Sequence, residues 1–395
     1  MKRDDVVARM VQAKRAGEQG WEIRSRLAEM GRGKKDLIQL SSADPDMPSP
    51  PKVLEAAARA LKEGKTRYTE PTGLLALREK VAEHLLADGT KYDPRSEVVI
   101  TAGTGEALSA AFRAVLNPGD EVLITDPYYP GHVVTTYFAG AKPVLVAAGP
   151  EAGFVPRMAD LEAAVSDRTR LLVITNPSNP GGVVYTRKQL EAFASFAVKH
   201  DLLVVSDEIY KRFNYTDKPF ISFASVPGIW DRVITVGSFS KAYAMTGFRV
   251  GWAAAPAEIA SALGEVKHNS SLSTCTISQY AALAAFDPES EAYAEEIRAT
   301  FGRRRKLFMD GIEKMGLKHN NPGTGYVVLV DLGGKISTNA VRFAEVLVSD
   351  FGVSLWPGPM FGTTVNDWLR IGLVKPEPLL AETLVRIKKC LRLLA

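Results

Sequence analysis

Cysteine is nearly absent from this chain of 395 residues. Cys275 and Cys390 are the only two; they lie far apart and lack metal-ligand spacing. That argues against a disulfide framework or a cysteine metal centre and favours a reducing cytoplasm. No stretch approaches the ~20 apolar residues of a membrane span. The basic start MKRDDVVARMVQAKRAG has no apolar run behind it, which argues against a signal peptide. Charge of one sign is scarce as well. Lys plus Arg number 49 and Asp plus Glu 45, a net of +4, and no basic tract is laid out to follow a nucleic-acid backbone. There is no repeat of fixed period and no low-complexity tract. What remains is an ordinary globular composition, 46% hydrophobic and 24% charged. The length suggests two or three structural units, enough to bury a large core and still enclose a cleft.

The middle of the chain alternates short apolar runs with helical patterns. EVVIT (97–101), EVLIT (121–125), PVLVA (143–147), LLVIT (171–175), LLVVS (202–206) and VITV (233–236) read as strands. They are β-branched and nearly continuous in apolar residues, as parallel strands buried on both faces are. Amphipathic segments such as GEALSAAFRAVL and TRKQLEAFASFAVKH separate them, which predicts a parallel sheet with helices on both faces. Two regions differ. Residues 1–47 hold a helical start and a proline-bearing segment, SSADPDMPSPP. From residue 285 a long charged helix leads into strand, helix, strand and helix: YVVLVDL, NAVRFAEVLVSDF, WLRIGLV and LLAETLVRIKKCLRLL. The expected division is therefore 1–47 as a segment joining a smaller domain, 48–284 as the large domain and 285–395 as the small α+β domain. A cleft between two such domains, near the carboxyl ends of parallel strands, is a usual ligand site.

Four segments carry chemistry. SFSKAYAMTGFRVGW (238–252) brings a serine, a lysine and an arginine together beside a strand. Such a lysine can condense with an aldehyde, and a hydroxyl with a guanidinium suits a phosphate ester; an ordinary surface loop is the plainer reading. LLVVSDEIYKRF (202–213) ends an apolar run in Ser206, Asp207 and Glu208. An acid at a strand's carboxyl end projects into the ligand crevice or simply solvates the strand end. TAGTGEALSAAF (101–112) runs a strand through a glycine turn into a helix, whose N-terminal amides favour anions; alone it is a weak signal. TNPSNPGG (175–182) holds two Asn-Pro steps, an extended rigid turn that could set Asn179 in a cleft.

Taken together and in this order, these segments resemble the class I and II aminotransferases, typified by aspartate aminotransferase. The resemblance runs from ADPDMPSP (43–50) to the C-terminal helix. It implies an α/β fold, fold type I of the pyridoxal-phosphate-dependent transferases: a large domain with a mixed, mostly parallel sheet flanked by helices, plus a smaller α+β domain. It also implies pyridoxal 5'-phosphate as cofactor and transfer of an amino group from an L-amino acid to a 2-oxo acid by a ping-pong mechanism. By motif, Lys241 corresponds to the Schiff-base lysine and general base, and Asp207 to the partner of the pyridine nitrogen. Tyr210 and Asn179 correspond to donors to the phenolic oxygen. Gly103, Thr104, Gly105, Ser238 and Arg249 correspond to the phosphate clamp, and Tyr129 to the aromatic that stacks on the ring. His132 falls where some members place a histidine that buttresses the aspartate; a surface histidine is the alternative. Arg370, inside WLRIGLV, corresponds to the arginine that grips the substrate α-carboxylate through two parallel hydrogen bonds. Tyr68, in TRYTEPTG (66–73), corresponds to a tyrosine that reaches the partner's cofactor phosphate, so a homodimer with shared sites is implied.

Two departures stand out. The family often has Asn-Pro-Thr-Gly where this chain has Asn179-Pro180-Gly181-Gly182. It often has glycine where this chain has Ala43, whose methyl group would trim the pocket beside the substrate carboxylate. Both bear on substrate identity and leave the lysine, aspartate and arginine untouched. Rival readings are a carbon–sulfur β-lyase on the same fold and a non-catalytic ligand sensor. The residues before ADPD are too few, and wrongly patterned, for the DNA-binding domain such sensors carry. GWEIRSRLAEM and LRIGLV also look similar to a branch that includes arginine:pyruvate transaminases. In that branch Glu22, beside Trp21, would meet a cationic side chain; a solvated helix face is the plainer alternative for Glu22.

Overall fold

The computed structural model describes residues 18–320 and 322–395. Seven strands make the central sheet: β1 (Val98–Thr101), β2 (Glu121–Asp126), β3 (Lys142–Ala147), β4 (Thr169–Thr175), β5 (Leu203–Asp207), β6 (Val233–Ser238) and β7 (Gly251–Ala254). Their order across the sheet is β1-β7-β6-β5-β4-β2-β3. β3, β2, β4, β5 and β6 are mutually parallel, whereas β7 runs antiparallel to both β6 and β1. Six strands coincide with apolar runs of the sequence. The seventh is hidden inside RVGWAA, where four residues after a turn gave too short a pattern to read as a strand.

Alternation along the strands feeds two separate cores. Leu172, Ile174, Val204 and Val233 face one side and pack with Leu190 and Phe193 of the helix Arg187–Lys199. That helix starts on a capping box in which Thr186 and Gln189 satisfy each other's backbone amides. Leu171, Val173, Val205 and Ile234 face the other side. There they meet Leu108 and Phe112 of the helix Thr104–Val115 and Leu263 of the helix Ala257–Ser271. Each such fully buried side chain contributes roughly 1.5–3 kcal/mol. β3 departs from the expectation of burial on both faces: it is the sheet edge, with Leu145 40% exposed.

A second sheet has the order β10-β11-β9-β8, from β8 (Lys318–His319), β9 (Val327–Asp331), β10 (Trp356–Pro357) and β11 (Trp368–Gly372), all antiparallel. It shares one core with side chains of the helices Pro288–Glu313, Ala340–Ser349 and Glu377–Leu394. The helix Glu18–Gly31 joins the same core through Ile23 and Leu27. The short strand Ile38–Gln39 pairs in parallel with Val353–Ser354. The strap 40–49 then crosses from this part of the molecule to the central sheet. Among the described residues, no helix is long and apolar enough to cross a membrane.

Candidate active site

β1, β2, β4, β5 and β6 all end at one edge of the central sheet. Because β7 is antiparallel, its first residue, Gly251, lies at that edge too, paired with Thr101 and Ser238. Gly103–Gly105, Tyr129, Asn179, Asp207, Tyr210, Ser238, Lys241 and Arg249 follow or precede those strand ends. A sheet edge of this kind is where open α/β folds bind ligands.

One end of the site is an anion cradle. Gly103 sits at φ +74° as N-cap of the helix Thr104–Val115. A Cβ there would lie 2.7 Å from Arg249 Nη2, so only glycine lets the guanidinium come so close to this turn. Arg249 itself adopts a left-handed backbone at φ +52° and donates through Nη1 to the Thr246 carbonyl at 2.9 Å. Ser238 Oγ accepts the Ser240 amide at 2.9 Å. Helix-start amides, a serine and an exposed arginine form a set that fits a phosphate ester.

The middle of the site is acidic and tightly held. Asp207, 4% exposed, accepts the Ile209 amide at 3.2 Å on Oδ1, and its Oδ2 lies 3.1 Å from His132 Nε2. His132 is 1% exposed, so the surface reading does not hold for it. The Tyr129 ring stands edge-on to His132, with centroids 5.3 Å apart. Tyr210 is buried, and Asn179 Oδ1 is buried without a protein partner.

Lys241 sits on a one-turn helix, Phe239–Ala242, rather than on a plain loop. Its Nζ donates to the Ala43 carbonyl at 2.6 Å. Burial pulls the amine down to about 8; Asp44 opposes the shift, and Arg370 and Arg249 add to it. Tyr326, fully buried and stacked on Phe301, donates its hydroxyl to the same Ala43 carbonyl at 3.1 Å. Two residues upstream, the Ser41 carbonyl accepts from Arg370 Nη1 at 3.1 Å. Arg370 is 6% exposed and its Nε has no protein partner. The strap thus holds lysine and arginine side by side, anchored by Asp46 in a bidentate pair with Arg304.

Three residues went unassigned in the sequence reading. Asp126 stands in DPYYPGH, and Glu208 in SDEIY, without a role, and Tyr326 read only as part of a strand. Glu208 is 2% exposed; Oε1 accepts from Ser206, Ser222 and the Phe223 amide. Its Oε2 is buried without a partner, and the residue lines a cavity of about 230 Å³ behind the Lys241 helix. Burial raises the carboxyl to about 7, against the pull of Lys211. Two sequence candidates remain outside this constellation. Tyr68 is 80% exposed, on a segment held by bonds from Thr276 to the Arg67 carbonyl and from Gln279 to Thr69. Glu22 is exposed, and the Trp21 side chain lies outside the described residues. Among the described residues no group of three or more His, Cys, Asp or Glu is placed to hold a metal ion.

The chain is similar to known proteins over most of its length. The family described as aminotransferase class I and II matches residues 35–387. An aspartate/prephenate aminotransferase of Thermus thermophilus is 37% identical over 93% of this chain and 94% of its own. The solved aspartate aminotransferase of that organism with maleate superposes at a TM-score of 0.88, with 37% identity over 94% of this chain and 96% of the other. The aromatic aminotransferase of Pyrococcus horikoshii also gives 0.88, with 35% identity over 94% and 98%.

Proposed function

We propose, for a chain that belongs to the class I and II aminotransferases, that this edge of the sheet holds pyridoxal 5'-phosphate on Lys241 and moves an amino group from an L-amino acid to a 2-oxo acid. The chain is an aminotransferase by kinship; the cofactor, the residue roles and the substrates are our reading. The observation that carries it is Lys241: a half-buried amine pulled to about 8, beside an anion cradle at one end and a buried aspartate at the other.

The donor set fits the cofactor. The helix-start amides after Gly103, the Ser238 hydroxyl and the exposed Arg249 suit its phosphate ester, and Arg370 Nε, a buried donor without a protein partner, is left to meet a substrate carboxylate. Thr104, Gly105, Ser238 and Arg249 would hold the phosphate, Tyr129 would cover the ring and Asp207 would meet its nitrogen. When bound, pyridoxal phosphate supplies an aldehyde and an electron-withdrawing ring. Asp207 would face the ring nitrogen, its orientation fixed by His132. Arg370 grips the α-carboxylate and so turns the Cα–H bond toward Lys241. Lys241, with its amine near 8, would be the base that takes this proton and later gives it back. The same groups in reverse serve the second substrate, which gives the ping-pong order.

Relatives are named for acidic and for aromatic substrates, so either class fits the kinship. The two-part division at about residues 47 and 284 and the dimer in which Tyr68 serves a partner's phosphate belong to the same reading; the 80% exposure of Tyr68 supports the latter. A cytoplasmic setting belongs to the same reading, in keeping with a chain that has only two cysteines. The test is borohydride reduction of the holoenzyme followed by peptide mapping. The pyridoxyl group is expected on the peptide containing Lys241, and its appearance on any other lysine rejects the assignment.

A further inference from the structure

Asp126 ends β2 and is 3% exposed. Its carboxylate gathers donors from two consecutive residues of the other sheet's loop. The Thr363 amide reaches Oδ1 at 3.1 Å and Oδ2 at 2.9 Å, and Thr363 Oγ1 donates to Oδ2 at 2.8 Å. The Thr364 amide and Oγ1 reach Oδ1 at 3.3 and 2.9 Å. The residue before them, Gly362, has φ +135°, and a Cβ there would stand 1.9 Å from Asp126 Oδ1. The loop therefore closes on the carboxylate as tightly as a backbone without a side chain allows.

This contact reaches the substrate side of the cleft. Phe361, next along the loop, accepts the Tyr128 amide on its carbonyl at 2.8 Å. Its ring lies 5.1 Å from Arg370 Cζ, a cation–π contact against a buried guanidinium. Tyr128 in turn precedes Tyr129. One carboxylate thus ties the strand end that carries Tyr129 to the ring that backs Arg370.

We propose that Asp126 is a positioning residue for substrate binding: clamped by Thr363 and Thr364, it holds Phe361 under Arg370 and so presets the arginine for an α-carboxylate. The proposal rests on the reading of Arg370 given above. Asp126 touches no reacting atom, so its loss acts on binding. In Asp126→Asn one acceptor oxygen becomes an NH2 facing N–H donors, and the clamp opens. The double variant Thr363→Val/Thr364→Val keeps the carboxylate and both amides and removes only the hydroxyls.

The experiment compares both variants, as holoenzymes, with Arg370→Ala. Asp126→Asn is expected to raise KM for amino acids roughly tenfold with kcat within about twofold, the pattern of lost uniform binding. Its half-reaction with a simple amine lacking a carboxylate should be unchanged. The double variant should shift KM in the same direction by less, and it decides the matter if Asp126→Asn does not fold. Hydrogen exchange at the Thr363 and Thr364 amides, read in the cofactor-free protein as well, should speed up at least tenfold in Asp126→Asn. If amino acids and the simple amine are impaired alike, or if KM is unchanged in both variants, the proposal is overturned. If Arg370→Ala is selective for carboxylate substrates while the clamp variants are not, the clamp alone fails. If Arg370→Ala is itself unselective, the reading of Arg370 fails and the role of the clamp goes with it. Unchanged amide exchange overturns the clamp whatever the kinetics.

Discussion

His132 Nε2 lies 3.1 Å from Asp207 Oδ2, with both side chains buried at the carboxyl edge of β5. The aspartate's other oxygen takes the Ile209 amide, so the carboxylate is fixed from two directions. Asp207→Ala is expected to retain covalently attached cofactor yet lose at least about a hundredfold in kcat, as when a preorganised electrostatic partner is removed. His132→Ala should cost roughly tenfold, in keeping with an orienting neighbour. Single-turnover half-reactions followed by cofactor absorbance measure both. Wild-type rates in Asp207→Ala would reject the ring-nitrogen role.

Lys241 gives a pH signature. The neutral amine is the nucleophile, and its fraction rises with pH. With the amine near 8 rather than 10.5, covalent uptake of pyridoxal phosphate by the cofactor-free protein should accelerate up to about pH 8 and level off beyond it. Stopped-flow absorbance between about pH 6.5 and 9.5 measures it. A rate still climbing tenfold per unit above pH 9 would mean an ordinary, solvated lysine.

Glu208 makes a thermodynamic prediction. Its carboxyl titrates near 7 when folded against 4.5 when free. The folded protein therefore holds this proton more tightly. The stabilisation is full below about pH 4.5 and gone above about 7, on the order of 3 kcal/mol across that window. Glu208→Gln stays neutral throughout. Its Tm relative to wild type should improve from about pH 5 to about pH 8, read by calorimetry. An offset independent of pH would show that Glu208 is ionised when folded.

Tyr68 can be tested by mixing. Lys241→Ala and Tyr68→Phe are unfolded together and refolded. In a mixed dimer one site receives an intact lysine and, across the interface, an intact tyrosine. Activity should exceed the mean of the two parents. No gain would place Tyr68 in its own subunit's site, and a fully active Tyr68→Phe would remove it from the phosphate altogether.

Much of this was legible in the residues. Runs such as LLVIT and LLVVS had to be buried strands because nothing polar interrupts them, and β4 and β5 lie there. The order of site groups followed because motif and strand end coincide. β7 escaped because its four residues carry no period of their own; it exists by pairing with β1 and β6. Asp126 and Tyr326 escaped for a different reason. Their partners, Thr363 and the Ala43 carbonyl, lie over two hundred positions away, and one of those partners is backbone, which leaves no mark on a side-chain pattern.

The strap has a consequence for how the protein is made. Its Ser41 carbonyl meets Arg370 across 329 positions, and its Ala43 carbonyl meets Lys241 across 198. Contacts this remote in sequence form late, because a long loop must close before they give any return. On a ribosome, the cradle, aspartate and lysine, all encoded between residues 103 and 249, emerge well before Arg370. The strap's two carbonyl contacts therefore close in two stages, the one to Lys241 becoming available before the one to Arg370.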